Sequence, residues 1–300
     1  MCCGRIKKYR RYHIRFCCLL STASPLHTLF TRKTQYFTVR GSGRCVLRLP
    51  DVTGEFMDFS NMLGDAFAYT REGVFGNMNR WLKLILAVLC LGLPFSGYIM
   101  RVYRGATPAP EVDQWGTLFI DGLKLLIVGI VYAIPLIIIW VLIYGTMFLA
   151  IFSGNMDEYA MAAFVPNMLL MMLFYILEIA MAIILPVAYI RFARTGTFSE
   201  AFNFSAIFET IGKIGWINYI VALVLVSLVI GIPVFILVFG FIIVAGASLF
   251  LLKEAGIFVF LALLALMLLL ILILAPLFGV FQARYMTRVY DSTVPAVPES

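Results

Sequence analysis

Hydrophobic and polar positions segregate along this chain into blocks tens of residues long. One run, 122–152, carries a single charge, Lys124, near its start. A second, 162–190, ends at Arg191 and Arg194 and holds one acid, Glu178. From 214 to 252 there is no charge, and Lys253-Glu254 is the only charged pair before Arg284. About twenty apolar residues suffice to cross a ~30 Å hydrocarbon core as a helix, so each run is long enough. The first and last exceed one straight crossing, which predicts tilt, an end outside the bilayer, or kinks at Pro135 and near Gly231-Ile232-Pro233.

Three further segments need separate readings. The run 81–100 is just long enough to cross, but Gly92-Leu93-Pro94 and Gly97 break it. Arg80 and Lys83 precede it, and Arg101 and Arg104 follow. A spanning helix would put one basic cluster on the wrong face, whereas a re-entrant hairpin keeps both together. Residues 105–120 form a polar connection with Pro108 and Pro110 as breakers. Over 197–212, Thr197 and Glu200 make a capping box, and Phe204, Ile207, Phe208 and Ile211 share one helical face. That segment either lies in the membrane interface or packs on its own bundle.

Orientation follows from the basic residues, which gather on the cytoplasmic side. The loop 153–158 is acidic and placed outside, which puts Arg191, Arg194 and Lys213 inside. One crossing before Lys253 and one after it return Arg284 and Arg288 to the inside; two before Lys253 would not. The expected fold is therefore all-α, a polytopic transmembrane bundle of four spans plus a re-entrant or fifth N-terminal segment. Its C-terminus is cytoplasmic, and 291–300 is a disordered tail. Trp81, Trp115, Trp216, Tyr189, Tyr219 and Tyr285 fall near the cytoplasmic ends, as an interfacial aromatic belt would. No internal repeat of the kind found in many secondary transporters is visible.

Composition agrees: 62 % of the 300 residues are hydrophobic and 13 % charged, against about a quarter charged in soluble domains. The net charge of +7 does not point to nucleic acid, because residues 1–56 alone carry +9 and 57–300 carry −2. Five of the six cysteines (Cys2, Cys3, Cys17, Cys18, Cys45) and both histidines (His13, His27) also lie in 1–56. This basic, Cys-rich extension is expected to be disordered or to reflect a mis-assigned start before Met57. An Arg-rich transit peptide is the other reading, and the paired cysteines also fit a metal or palmitoylation site.

Four phrases carry a family resemblance. They are Gly97-Tyr98-Ile99-Met100-Arg101-Val102-Tyr103-Arg104, Trp115-Gly116-Thr117-Leu118-Phe119-Ile120-Asp121-Gly122-Leu123-Lys124, Phe198-Ser199-Glu200-Ala201-Phe202-Asn203-Phe204 and Gly215-Trp216-Ile217-Asn218-Tyr219-Ile220. In this order they resemble the prokaryotic, mostly archaeal membrane family called domain of unknown function 4013, over about 57–290. The resemblance implies a multi-pass protein of a prokaryotic cell membrane and brings no activity with it. Members tend to begin near the position of Met57, which makes 1–56 foreign to the family.

Residues 57–300 contain no histidine and one cysteine, Cys90. Nucleophilic triads and His/Cys metal or haem sites are thereby excluded from this region. Phosphate-loop and dinucleotide fingerprints are missing too, as are paired mid-span aspartates, so an enzyme is not expected and no cofactor is implied. Glu178 is the candidate ion or proton site, because a carboxylate deep in a span costs about 2.5–3.5 kcal/mol unless paired. The alternative is a structural hydrogen bond to Tyr132, Tyr144 or Asn218. Arg101 and Arg104 are candidate contacts for anionic lipid head groups, or plain positive-inside anchors. Asp121 and Lys124, three apart, read as a substrate-facing ion pair or a snorkelling interface pair. Two functions stay open: a non-catalytic component organising lipid or supporting a partner complex, and a small-solute or ion transporter using Glu178. The expected partners are membrane lipids and a membrane protein or second copy, with no nucleic acid.

Overall fold

The structure, a computed structural model, describes residues 57–153 and 156–293. The expectations for 1–56, for residues 154 and 155 of the acidic loop, and for the tail beyond 293 lie outside the described residues. Every regular element among the described residues is helical.

Two short helices open the region. α1 (Phe59–Thr70) starts where the Asp58 carboxylate accepts from the Asn61 amide at 3.1 Å. A π-helical turn over Arg71–Phe75 leads to α2 (Met78–Leu89), capped by Asn77 accepting from the Arg80 amide at 3.1 Å. The chain then reverses at Leu91 (φ 59°) and Gly92 (φ 69°), and Pro94 sits in the first turn of α3 (Leu93–Tyr103). The run 81–100 is thus two helices of 12 and 11 residues. At ~1.5 Å per residue neither reaches across a bilayer, which leaves the hairpin form of the expectation.

Four long helices follow: α4 (Trp115–Ser153), α5 (Met156–Thr195), α8 (Trp216–Leu252) and α9 (Gly256–Asp291). Between α5 and α8 lie α6 (Phe198–Ala201) and α7 (Phe204–Ile214). Three helical stretches are long and apolar enough to cross a membrane: Trp115–Gly145, Pro166–Thr195 and Trp216–Asp291. The last comprises α8 and α9, joined by a 3-10 turn at Lys253–Ala255 where Lys253 has φ 50°. The two helices pack back to back along this turn, with the Phe241 and Phe260 rings 6.0 Å apart. Pro135, Pro166, Pro186, Pro233 and Pro276 all sit inside long helices.

α3 is the hub of the packing. Its Tyr98, Met100 and Val102 are buried, as is Leu118 of α4. α3 and α4 approach so closely that a Cβ on Gly97 would sit 1.9 Å from the Leu118 carbonyl oxygen. One on Gly122 would meet the Leu93 carbonyl oxygen at 1.8 Å. On its other side α3 lays the Phe95 ring over Gly279 of α9. Glycine pairs that bring helix backbones together are the usual device where dispersion, not water exclusion, holds helices.

Several expectations are corrected. The segment 197–212 is not one helix opened by Thr197 and Glu200. Thr197 makes no capping bond, and α7 is capped by Asn203, whose side chain accepts from the Ala206 amide at 3.2 Å. α7 packs on its own bundle through buried Ile207 and Ile211, while Phe204 and Phe208 stay exposed. Tyr219 and Tyr285 belong to the core, not to an interfacial belt, with Tyr219 donating to the Ile183 carbonyl at 2.6 Å. α9 extends through Asp291, which pairs with Arg194 at 2.6 Å, so residue 291 belongs to the helix and not to the expected tail.

Candidate functional site

The arginines of the predicted cytoplasmic end meet acids and carbonyls of the same chain. Arg101 donates to the Asp113 carboxylate at 2.8 Å, to the Glu111 and Asp113 carbonyls at 3.1 and 3.3 Å, and to the Thr117 hydroxyl at 3.0 Å. Arg104 donates to Asp121 at 2.8 Å and to the Ala193 carbonyl at 3.1 Å. Arg194 reciprocates by donating to the Tyr103 carbonyl at 3.2 Å. Both head-group candidates therefore fasten the 105–114 connection and the end of α3 to α4 and α5. Lys124 is 3.9 Å from Asp121, whose shorter partner is Arg104.

Asp65 of α1 holds the other side. Arg284 reaches it in a bidentate pair at 2.7 and 3.3 Å, and Arg288 adds a contact at 3.2 Å. The Arg284 guanidinium also lies 4.5 Å from the Tyr69 ring centroid, and the Tyr69 hydroxyl donates to the Ala106 carbonyl. Sequence reading passed over Asp65, because an acid midway along a short helix carries no signal of a partner 219 residues away. Arg80 pairs with Glu111, and Arg191 with Glu200. The hydrogen bond from Arg80 holds the Glu111 carboxyl below the usual glutamate range, and that from Arg191 does the same for Glu200.

Glu178 stands apart from this network. The side of α5 that packs on the bundle runs through Asn167, Leu170, Phe174, Leu177, Met181 and Ile184. Glu178 lies on an exposed flank beside it, with no hydrogen bond or ion pair among the described residues. The Tyr132 hydroxyl, offered as a neighbour, donates instead to the Ala201 carbonyl at 2.6 Å. The structure therefore brings none of its expected partners to Glu178.

A third feature is the outer face of α2. Met78, Leu82, Leu86 and Leu89 recur on one helical face and are exposed, as are Phe75 before them and Leu91 at the turn, which is 89 % exposed. Leu84 and Ala87 face inward, and the Trp81 indole donates to the Ile273 carbonyl at 3.2 Å. One concavity, an open cleft, is lined by Arg104, Ala193, Arg194, Thr195 and Gly196. Another is an apolar groove of ≈ 150 Å³ between α8 and α9.

Long apolar helices, an ion-paired end and a short amphipathic hairpin define the described residues as an all-helical region with helices long and apolar enough to cross a membrane. The sequence matches the family described as Protein of unknown function (DUF4013) over residues 82–243, more than half of the chain. The chain belongs to that family, and all four phrases that carried the resemblance lie within the match. No curated protein and no solved structure matches it.

Proposed function

We propose that this is a four-crossing integral membrane protein with a cytoplasmic C-terminus. Its role is non-catalytic: it organises the surrounding lipid or supports a partner complex. The four-crossing count rests on the reversal at Lys253, which turns the 76-residue stretch Trp216–Asp291 into two antiparallel crossings. Each long helix measures roughly 54–60 Å at ~1.5 Å per residue, so all four also project beyond the hydrocarbon core. The orientation rests on the arginine-rich end, which collects Arg101, Arg104, Arg191, Arg194, Arg284 and Arg288.

The observation that carries the lipid-organising reading is the apolar outer face of the α2 hairpin. A helix too short to cross, with one apolar face turned away from the protein and Arg80 and Lys83 near its start, inserts sideways into one leaflet. Membrane lipids are its first partners. The outward position of Glu178 favours this over transport, since carboxyls lining a solute path face the bundle interior.

The test is lipid analysis by mass spectrometry of protein withdrawn from its native membrane in polymer-bounded discs. A leaflet-organising hairpin retains a selected lipid set, and the double substitution Leu82→Lys, Leu86→Lys abolishes the selection while all four crossings stay inserted. Wild-type discs whose lipids mirror the bulk membrane would remove the support for this role.

A further inference from the structure

We propose that the exposed flank of α5 is the interface of a homodimer, built around Glu178 and Tyr175. Glu178 is 13 residues from Arg191 and 16 from Ala162, at the two ends of the apolar run, or roughly 20–24 Å from each at helical rise. From that depth a glutamate side chain reaches neither surface, and the chain itself gives it no partner among the described residues. Acidic side chains at such a depth are almost always paired, and this lipid-facing flank leaves the pairing to a second molecule in the bilayer.

The flank is chemically self-complementary. Met168, Met171, Tyr175, Glu178 and Ala182 are all exposed and recur at alternating steps of three and four, the spacing of a two-helix seam. Tyr175 offers a hydroxyl donor one turn from the Glu178 acceptor, and neither is hydrogen-bonded within the chain among the described residues. Two copies in one membrane share the same orientation and are related by a two-fold axis along the bilayer normal. Around such an axis each position lies level with its own copy, so 175 faces 175 and 178 faces 178, and a tyrosine side chain spans the roughly 4.5 Å between the two levels. Each Tyr175 hydroxyl then donates across the seam to the Glu178 carboxyl of the second copy, which gives every one of these four groups one partner. The methionines at 168 and 171 pack the seam above them, and Ala182 lets the helices close below. A different membrane protein would have to supply a donor at this depth, and nothing in this chain specifies one.

The test is single-molecule photobleaching of the full chain, labelled at its C-terminus, in vesicles over a range of protein-to-lipid ratios. The wild type is expected to pass from one to two copies as density rises. Glu178→Leu and Tyr175→Phe should each weaken the dimer about tenfold, the equivalent of the 1–2 kcal/mol of a membrane hydrogen bond. Glu178→Gln, which keeps an acceptor and adds a donor, should stay within about threefold of wild type. Both residues face outward, so unchanged thermal unfolding of each variant confirms that folding is intact. A wild type that stays single at every density overturns the proposal, as do variants that dimerise like wild type. A stoichiometric foreign protein retained by the wild type and lost in Glu178→Leu also overturns it.

Discussion

Replacing Gly97 by alanine tests the contact on which the packing of the first half turns. The added Cβ would lie 1.9 Å from the Leu118 carbonyl oxygen, 2.7 Å from its carbonyl carbon and 2.8 Å from its Cα. These are backbone atoms in the first turn of α4, so no rotamer change relieves the clash. Restoring an ordinary 3.4 Å contact requires α3 and α4 to separate by about 1.5 Å. That separation also opens the Gly122 contact with the Leu93 carbonyl and lengthens the four bonds Arg101 makes to 111–117. Overpacking typically costs 1–3 kcal/mol, and the backbone nature of this clash places Gly97→Ala near about 3 kcal/mol. In a chain of this size that lowers the midpoint of thermal unfolding by roughly 6–12 °C. Gly116→Ala is the control: it sits in α4 two residues from Leu118, with nothing within 4 Å of its Cβ position. Unfolding of purified protein in mild detergent, followed by intrinsic fluorescence, gives the comparison. Gly97→Ala melting with Gly116→Ala would refute the close approach of α3 and α4.

Gly122→Ala, meeting the Leu93 carbonyl at 1.8 Å, should fall with Gly97→Ala in the same assay. Asp65→Ala strips the carboxylate from Arg284, whose side chain is only 8 % exposed, and should cost about 3 kcal/mol by chemical denaturation. A mutant equal to wild type would show that the pair is a bystander. For the pH dependence, Arg80 and Arg191 depress Glu111 and Glu200, so protons bind the unfolded chain more readily than the folded one. Their contribution is complete above the ordinary glutamate range and is lost as the pH falls through the lowered values. Both carboxylates are solvent-accessible, so the loss is modest and screened by salt. Hydrogen exchange of 105–114 should accelerate only below the ordinary glutamate range, and acceleration near neutrality would contradict the assignment.

The long helices were legible because their signal is local: uncharged runs much longer than a soluble helix needs, ending at paired arginines. The hairpin break at Gly92 was legible for the same reason, since glycine and proline mark it in the chain itself. What escaped depends on distance in sequence. Tyr219 has the composition of a belt residue, and only its burial and its hydrogen bond to the Ile183 carbonyl of α5 decide that it is core. Thr197 and Glu200 satisfy the local spacing of a capping box, but Arg191 takes the Glu200 carboxylate and Asn203 starts the helix instead. Glu178 was visible as the one charge deep in an apolar run, whereas its direction depends on which face of α5 meets the bundle. Arg101 and Arg104 were visible as a basic pair; that their donors are taken by Asp113, Asp121 and carbonyls was not.

The account's central claim, that α8 and α9 are two crossings joined outside the membrane at Lys253, is tested most directly by cysteine labelling in intact cells. Single cysteines are placed at Gln114, Lys253 and Ser292, with the native cysteines replaced. A membrane-impermeant maleimide should label position 253 from outside, and positions 114 and 292 only after permeabilisation. Labelling of 253 together with 292 on one side would contradict the account, since it would make the stretch Trp216–Asp291 something other than a pair of crossings.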